Sequence, residues 1–589
     1  PEPDVLRDLQ LELFSTLAQR KADKRVKREH DQALRAADAM RAPAPIFLGE
    51  DIKVSQSTLS PDGRWLLAVT QSGKYERGQA GKMPVYVTES GYEDVEDVRT
   101  RVGRNPPAGH TLLLIDLASR QTTTVALDVL PGINADPLAD LRKAAGKDAL
   151  DGLRPVRIDA IRFSADGRRA AVVLRAIDNK DRWIAALEDG KPALKPMHRL
   201  TDPAWINWSF NAFGWLPDNR TLWLLSEESG YSHLYTVGTN GKAKALTQGK
   251  WEASAPQLSA DGQRFYFLCN QAWPGDYEVC SKDIKSGPVR ELTALDGVED
   301  FTLSADGKQL LVQYSASYLP TQLALVSTQG GQARVLTDTR SGEFKQKNWI
   351  TPRFEAVPSS HVKAPIWSKF YRPETLEPGK KYPIVLFVHG AGYTQNTHAR
   401  YPYYFREQMF HNLLVQQGYL VLDMDYRASA GYGRDWRTAI YRHMGAPELQ
   451  DLIDGVNWLV EQQQGDADRV GVYGGSYGGF MSLVALFNAP EVFKAGAALR
   501  PVTDWTQYNH EYTSNILNTP ELDPEAYRRS SPIFFAENLQ GDLLIAHGMM
   551  DDNVFYQDSV RLAQRLIELK KENWELAGYP LERHGFVDA

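Results

Sequence analysis

Residues 474–479 read Gly-Gly-Ser-Tyr-Gly-Gly and place Ser476 between an apolar, strand-like stretch (469–473) and an apolar, helix-like stretch (480–487). A serine flanked by glycines on a sharp strand-to-helix turn is exposed at the edge of a sheet, where its hydroxyl can attack a carbonyl. The pattern therefore predicts that Ser476 is a nucleophile.

A serine hydroxyl needs a general base, and the base needs an acidic residue that orients it. His584 follows a predicted strand, in a loop that can carry its imidazole over the sheet, whereas His547 lies within a strand end and is interpreted as structural. Asp551 lies 75 residues after Ser476 and 33 residues before His584, which is the α/β-hydrolase order of nucleophile, acid and base. The sequence predicts a Ser-His-Asp triad in which Asp552 competes for the acid position.

The elements that must position these residues begin near residue 350. Apolar strands are predicted at 382–389, 419–426, 470–473 and 543–547, with helices such as 448–463 between them. Strands that alternate with helices in this way favour a parallel sheet covered by helices, as in an α/β-hydrolase domain.

A different pattern, short strands separated by turns, fills residues 46–345. Five turn phrases contain Asp62, Asp166, Asp218, Asp261 and Asp306, at separations of 104, 52, 43 and 45 residues. A period of about 40 to 50 residues is typical of a β-propeller. We expect the first gap to hide one more repeat, at the strand 112–117, and the propeller to have seven blades, or eight if some are short. A solenoid of β-hairpins is the alternative.

These patterns predict three parts: an N-terminal helical arm (1–45), a β-propeller domain (46–348) and an α/β-hydrolase catalytic domain (349–589). In the arm, leucines recur at spacings of three and four, a stripe that could pack on a neighbouring domain or remain a solvated face. The chain opens without Met, so we expect a targeting segment to have been removed. Only five residues follow His584, so we expect the C-terminal end to be incomplete.

Composition limits the function classes. The 589 residues have a net charge of −7 and 42% hydrophobic content, which excludes a disordered chain and leaves no basic surplus for nucleic acid. The apolar stretches fall short of the roughly 20 residues that a membrane span needs. No metal-ligand cluster or phosphate-binding glycine loop is present, so we expect no metal and no cofactor. A homo-oligomer stays open.

The two cysteines, Cys269 and Cys280, flank a predicted turn at Pro274–Gly275. A hairpin centred there would place them directly opposite each other, as a disulfide or as two reduced side chains. A bond would indicate an oxidising compartment, periplasmic or extracellular rather than cytoplasmic.

Three motifs, lying behind a propeller, resemble the prolyl oligopeptidase family of serine peptidases, and the dipeptidyl peptidase IV branch looks closest. They are Gly-Gly-Ser476-Tyr-Gly-Gly, His547-Gly-x-x-Asp551-Asp552-Asn553-Val554 and His584-Gly. The resemblance implies peptide hydrolysis by Ser476, Asp551 and His584, with Asp551 as the acid because the family places it first in that pair.

The resemblance also implies a small apolar S1 pocket for the substrate residue before the scissile bond (P1). A box of aromatic rings suits the pyrrolidine of proline and accepts alanine more loosely. Asn553 matches a residue that binds a substrate backbone carbonyl. The walls of the pocket would be Val502, Trp505, Tyr508, Tyr512 and Val554.

The oxyanion hole is implied only in part. One donor would be the backbone N–H of Tyr477, the residue after the nucleophile. The second donor in the family is commonly a tyrosine hydroxyl, but His389 stands at that place here, in a loop similar to the family's His-Gly-Gly-Pro loops. A backbone N–H of this loop or the hydroxyl of Tyr393 are the alternatives.

A second departure concerns the substrate amine, which dipeptidyl peptidases hold with a pair of glutamates. The corresponding stretch, 204–210, contains no glutamate. Glu227–Glu228, the charged insertion 92–104 and Glu511 are the candidates. The sequence thus predicts a serine peptidase acting on short peptides, dipeptidyl-peptidase-like with Pro or Ala at P1. An oligopeptidase or acylaminoacyl peptidase is the alternative, ahead of a carboxylesterase or a non-catalytic propeller scaffold.

Overall fold

The computed structural model describes residues 5–38, 40–74, 78–104, 107–188 and 190–587. The N-terminal arm is one helix, α1 (Val5–Ala37), and none of its residues is buried. Its leucine stripe, which includes Leu6 and Leu13, is more than half exposed, so it packs on no described part of the chain. Within the described ranges, no helix has the length and apolarity to cross a bilayer.

Between residues 52 and 335 the described residues form five four-stranded antiparallel sheets, each the size of a propeller blade. Four of them follow the chain strand by strand, whereas the first carries an inserted hairpin, β3–β4. The elements are β1 (Ile52–Leu59), β2 (Trp65–Ser72), β3 (Gly81–Val85), β4 (Asp94–Val98), β5 (Thr111–Asp116), β6 (Thr122–Thr124), α2 (Ala139–Ala144), β7 (Val156–Phe163), β8 (Arg169–Ala176), β9 (Asp181–Glu188), β10 (Lys195–Thr201), β11 (Phe213–Trp215), β12 (Leu222–Ser226), β13 (His233–Val237), β14 (Ala243–Ala245), β15 (Ala253–Leu258), β16 (Arg264–Cys269), β17 (Glu278–Asp283), β18 (Arg290–Glu291), β19 (Val298–Leu303), β20 (Gln309–Ala316), β21 (Leu319–Ser327), β22 (Arg334–Val335) and α3 (Gly342–Gln346).

The expected propeller architecture is confirmed, but the count of seven or eight blades is not matched by the five four-stranded sheets of the described residues. Among its described residues, the 104-residue gap holds no further four-stranded sheet. The strand at 111–116 is the third strand of the first sheet, where it pairs with β2. The inserted hairpin and the segment around α2 supply the extra length.

The repeated turn phrase joins the first and second strands of each sheet. In the first sheet, Ser60 Oγ donates to Asp62 Oδ1 at 2.6 Å, and the Trp65 amide donates back to Ser60 Oγ at 2.9 Å. Gly63 completes the turn at a φ of +71°, a conformation that glycine adopts without steric cost. One such turn per sheet is why the number of phrases equals the number of sheets.

Cys269 and Cys280 form a disulfide with a Cα–Cα distance of 5.9 Å. The predicted register was wrong. Cys269 lies opposite Glu278, and Cys280 lies opposite Phe267, because the hairpin is centred between Trp273 and Pro274, one residue earlier than a turn at Pro274–Gly275 would be. The bond therefore joins a diagonal pair, which also lies within reach across two strands.

The second part of the chain is an eight-stranded sheet with the order β23-β24-β26-β25-β27-β28-β29-β30. Pairing is antiparallel at β23–β24 and β24–β26 and parallel from β26 onward, as expected for an α/β-hydrolase domain. The elements are β23 (Arg353–Val357), β24 (Ile366–Tyr371), β25 (Tyr382–Val388), α4 (Phe405–Gln416), β26 (Leu420–Met424), α5 (Arg434–Thr438), α6 (Ala446–Gln462), β27 (Gly465–Gly475), α7 (Tyr477–Asn488), β28 (Ala495–Leu499), α8 (His510–Leu517), α9 (Pro524–Ser530), β29 (Asp542–Gly548), α10 (Gln557–Glu568) and β30 (Trp574–Tyr579), with short 3₁₀ turns at Trp505–Gln507 and Pro532–Asn538.

The disulfide-bonded hairpin joins the two parts. The amide of Asn270 donates to the Gly431 carbonyl at 3.1 Å, and the Gln395 side chain donates to the Pro274 carbonyl at 2.8 Å. These contacts tie the propeller to the loops that follow β25 and β26. The propeller is therefore held directly over the end of the sheet where β27 delivers Ser476.

Candidate active site

Ser476 lies between β27 and α7 with φ +59° and ψ −115°. A non-glycine residue with positive φ is strained and must be held by its surroundings. The flanking glycines allow this, because a Cβ on Gly474 would lie 2.2 Å from the Val388 carbonyl oxygen, and a Cβ on Gly478 would lie 2.0 Å from it. The glycines that mark the elbow in the sequence are therefore required because both lie against the Val388 carbonyl.

Tyr477 is the first residue of α7, so its backbone N–H belongs to the helix end that has no intrahelical acceptor. Its ring is buried, and its hydroxyl is hydrogen-bonded to the buried Glu448. Burial raises the pKa of Glu448 to about 7. The Tyr477 side chain is therefore committed to the domain interior, and only its amide is available at the elbow.

Asp551 is fully buried, and its carboxylate contacts four polar groups, namely the side chains of His584 and His547 and two backbone N–H groups. Its Oδ2 lies 2.7 Å from Nδ1 of His584, and its Oδ1 accepts the backbone N–H groups of Asn553 and Val554, each at 2.9 Å. Burial alone would raise its pKa, but hydrogen bonds from His547 and His584 outweigh burial and lower the pKa to about 2. The carboxylate is ionised at neutral pH and faces the imidazole it would orient.

Asp552, the competing acid, is exposed and lies 3.4 Å from Arg583. The structure therefore brings Asp551, and not Asp552, to His584. The role of Ser476 with this pair stays a prediction.

His547 is a partner that sequence reasoning missed. It is completely buried, its Nε2 lies 3.3 Å from Asp551 Oδ2, and its Nδ1 lies 2.7 Å from Ser559 Oγ. Its position four residues before Asp551 was the available signal, since the strand end and the turn bring the two side chains together. His547 supports the acid rather than only the strand.

The loop after β25 contains the two predicted oxyanion side chains. His389 is fully buried, lies 3.0 Å from Ser429 Oγ and stacks on Tyr426 at 4.4 Å, and burial lowers its pKa. Tyr393 is half exposed and packs edge-on against Trp208 at 5.3 Å. These contacts hold the two rings against residues other than Ser476.

Tyr404 is a further candidate that the sequence did not indicate. The Gly390 amide donates to its hydroxyl at 2.7 Å. A Cβ built on Gly390 would lie 2.8 Å from that hydroxyl and 3.5 Å from Ser476 Cβ, so the hydroxyl borders the elbow. Burial raises the pKa of Tyr404 to about 12, which keeps it a neutral donor. Its proton is free for another acceptor, such as a developing oxyanion.

The predicted S1 residues form one aromatic cluster. Trp505 and Val502 are buried, and Trp505 lies 5.6 Å from Tyr508 and 6.0 Å from Tyr512, centroid to centroid. The Tyr508 hydroxyl donates to Asn553 Oδ1 at 2.7 Å, which joins this cluster to the loop of the acid. The structure therefore brings the predicted residues together, and their role as a P1 pocket stays a prediction.

Arg99, in the charged insertion, reaches the same place from the propeller side. Its guanidinium is hydrogen-bonded to the Asn553 carbonyl and lies over the rings of Tyr508 (4.8 Å) and Phe555 (4.5 Å). Burial lowers the pKa of Arg99. Sequence reasoning had singled out the insertion for its charge, but spacing could not show which residue would reach the other domain.

The carboxylates considered for a substrate amine have different surroundings. Glu227 is buried in an ion pair with Arg437 (2.9 Å), and Glu228 lies 2.7 Å from His198. Glu511 lies 3.1 Å from Arg157, and its side chain is 75% exposed. Of these three, Glu511 alone lines the large cavity at the site.

That cavity, of about 1160 Å³, lies between the propeller, the insertion and the hydrolase domain. It is large enough for a short peptide. Its lining includes Arg99, His110, Arg157, Arg175, Asn179, Trp208, Tyr393, His510, Glu511 and Tyr512. Because Tyr512 and Tyr393 belong both to the cavity wall and to the aromatic surroundings of S1, the cavity opens onto the elbow side of the domain.

A β-propeller held over an α/β-hydrolase sheet, with a serine at the elbow and a buried aspartate beside a partly exposed histidine, defines a class of hydrolases with covered active sites. The profile of the prolyl oligopeptidase family matches residues 405–589, and that of the dipeptidyl peptidase IV N-terminal region matches 153–321. Over residues 405–589 the chain is therefore similar to the prolyl oligopeptidase family, and over residues 153–321 it is similar to the dipeptidyl peptidase IV N-terminal region.

Individual relatives show the same likeness. Probable dipeptidyl-aminopeptidase B of Trichophyton verrucosum is 28% identical over 369 residues, and that of Aspergillus terreus is 29% identical over 371 residues. Each alignment covers 60% of this chain and 40% of the relative, so the chain spans about two fifths of the length of these curated relatives.

Solved structures show the same fold. The chain is similar to dipeptidyl peptidase 4 of Porphyromonas gingivalis, with a TM-score of 0.76, 22% identity and coverage of 90% of this chain and 72% of that one. A putative dipeptidyl aminopeptidase IV of Bacteroides ovatus gives a TM-score of 0.73 and 20% identity, with coverage of 92% and 77%.

The two neighbouring acids give a matched test of the triad. Asp551→Asn should lower kcat by about 10⁴-fold, because the amide cannot stabilise the imidazolium or hold the productive tautomer. Asp552→Asn removes the same charge one residue away and should leave kcat within about threefold. Steady-state kinetics on one peptide substrate measures both, and equal losses would contradict the assignment.

Tyr404→Phe tests the oxyanion assignment. Removing the hydroxyl should lower kcat by about 10²- to 10³-fold with little change in KM, because the donor acts on the charge of the transition state. Tyr403→Phe, at the exposed neighbouring position, should change neither value. A Tyr404→Phe enzyme with wild-type kcat would exclude this hydroxyl as the donor.

Proposed function

We propose that the protein is a serine peptidase that hydrolyses short peptides through an acyl-enzyme, cleaving after proline or alanine. One observation carries the proposal: the buried, ionised Asp551 holds His584 at 2.7 Å in a domain whose elbow exposes Ser476. Orienting a histidine with a buried carboxylate is the arrangement by which serine hydrolases raise the basicity of the imidazole.

In this mechanism Ser476 Oγ attacks the scissile carbonyl, and its proton passes to Nε2 of His584. The oxyanion that forms is stabilised by the Tyr477 amide and by the Tyr404 hydroxyl. His584 then protonates the leaving amine, and the acyl-enzyme remains. A water molecule, deprotonated by His584, attacks the ester and releases the acid product together with free Ser476.

The aromatic cluster supports a small apolar residue at P1. The rings of Trp505, Tyr508 and Tyr512 meet at angles between 44° and 90°, which leaves flat faces for a pyrrolidine ring. Proline has no N–H group and so would leave no donor unpaired in this apolar slot. Alanine would bury less area and bind more weakly.

Release of N-terminal dipeptides is the first form of this activity to test, because the similar relatives are named dipeptidyl-aminopeptidases. Cleavage of N-blocked peptides is the second. The observation that favours it is that Glu511, the one carboxylate among the described lining residues, is already paired with Arg157.

A panel of nitroanilides separates these forms. We expect H-Ala-Pro-nitroanilide to be cleaved about tenfold faster than H-Ala-Ala-nitroanilide in kcat/KM, from the extra apolar area in S1. H-Ala-Phe-nitroanilide should be at least as poor as the alanine substrate, and Ser476→Ala should abolish every activity above background.

The outcomes discriminate directly. A faster acetyl-Ala-Pro-nitroanilide would favour an oligopeptidase or acylaminoacyl peptidase over dipeptide release. Turnover of 4-nitrophenyl acetate alone, with no amide cleaved, would replace the peptidase by an esterase. Amide cleavage that survives in Ser476→Ala would end the assignment.

A further inference from the structure

The propeller wall of the cavity presents two arginines side by side. Arg157 on β7 and Arg175 on β8 are direct cross-strand partners, so their side chains leave the same face of the sheet. Both line the cavity. Like charges directly opposite each other destabilise a strand pair, so this arrangement requires anionic groups near it.

Two carboxylates partly meet that requirement. Asp159 lies 3.1 Å from Nε of Arg175, and Glu511 lies 3.1 Å from Nη1 of Arg157. The second contact is weak, because the Glu511 side chain is 75% exposed and an exposed ion pair contributes little in water. A ligand carboxylate can therefore displace Glu511 from Arg157 at little cost.

The other titratable groups of the cavity leave the cationic character intact. His110 accepts the backbone N–H of Ile158 through Nδ1 at 3.0 Å, and burial together with the charge of Arg157 lowers its pKa. Arg99 adds a third guanidinium to the lining, and Glu511 is the one carboxylate among the lining residues described. The described lining residues thus carry three arginines against one acid, and Asp159 contacts Arg175 from outside the lining.

The position of the pair relative to S1 sets what it can bind. Tyr512 and Tyr393, whose ring centroids lie 5.5 Å apart, border both the cavity and the aromatic cluster. With P1 in the cluster, the part of a peptide on the N-terminal side of P1 extends into the cavity. Side chains or acyl groups of that part would face Arg157 and Arg175.

We propose that Arg157 and Arg175 bind a carboxylate carried by the substrate on the N-terminal side of P1, so that acidic peptides are the preferred substrates. This proposal rests on the proposed peptidase function. A guanidinium pair recognises a carboxylate through charge-assisted hydrogen bonds with fixed geometry, which a neutral amide of the same shape cannot replace.

Two matched substrate pairs test it and distinguish the source of the carboxylate. H-Glu-Pro-nitroanilide and H-Gln-Pro-nitroanilide differ only in a side-chain charge, and succinyl-Gly-Pro-nitroanilide and acetyl-Gly-Pro-nitroanilide differ in an N-terminal acyl carboxylate. We expect the acidic member of at least one pair to have a kcat/KM about tenfold higher or more, and that pair identifies the side chain or the acyl group as the source.

The double variant Arg157→Gln/Arg175→Gln should reduce that ratio to about one, mainly through KM, while leaving kcat/KM for the neutral member within about threefold. Arg162→Gln is the matched control, since Arg162 is an exposed arginine on the same strand that does not line the cavity. The control should keep the wild-type ratio. Circular dichroism and the melting temperature of each variant verify that the propeller is folded.

Wild-type ratios of one for both pairs would overturn the proposal, as would an acidic preference that persists in the double variant or disappears equally in the control. Failure of the peptidase function itself has a different result, namely no cleavage of the neutral substrates by the wild type. The two failures are therefore distinguishable in the same assay.

Discussion

The site depends on one buried carboxylate. Asp551 is completely removed from water yet ionised, because two histidines and two backbone amides supply the hydrogen bonds that water would have made. The same carboxylate orients His584 with one oxygen and shapes the loop of Asn553 and Val554 with the other. One carboxylate therefore holds both His584, the candidate base, and the loop that borders the candidate substrate pocket.

A second constraint is steric and lies at the elbow. The Val388 carbonyl approaches Gly474 and Gly478 so closely that a Cβ at either position would collide with it. That contact brings the end of β25 against the turn before α7, and with it the loop that contains Gly390. The turn that holds Ser476, the loop that contains Gly390 and the edge of the sheet therefore share one packing contact. Asp551 and His584 follow β29 and β30.

Sequence reasoning predicted the fold class because it has local signatures, and it selected the candidate members of the hydrolase site from signatures of the same kind. The elbow shows as glycine spacing around Ser476, and the sheet shows as apolar runs of the correct length. The five turn phrases likewise indicated a propeller, but the described residues form five four-stranded sheets where seven or eight blades were expected, in part because a long insertion was taken for a hidden repeat. The cysteine register was wrong because the hairpin is centred one residue before the predicted Pro274–Gly275 turn.

What the sequence could not indicate depends on contacts between distant segments. Arg99 meets Asn553, and Tyr404 meets Gly390, across separations that no local pattern encodes. The same holds for the cavity, where Arg157 from the propeller faces Glu511 from the hydrolase domain. The character of the substrate site is set at this junction, which is why a family resemblance in the hydrolase motifs left the binding of the substrate terminus open.

The most direct test of the account is covalent labelling with a fluorophosphonate, followed by mass spectrometry of the intact protein and of its peptides. The account predicts one adduct per chain on the peptide containing Ser476, with labelling slowed by a Pro-containing substrate and greatly reduced in His584→Gln. An adduct on another serine, or full peptide hydrolysis by protein whose Ser476 is quantitatively labelled, would contradict it.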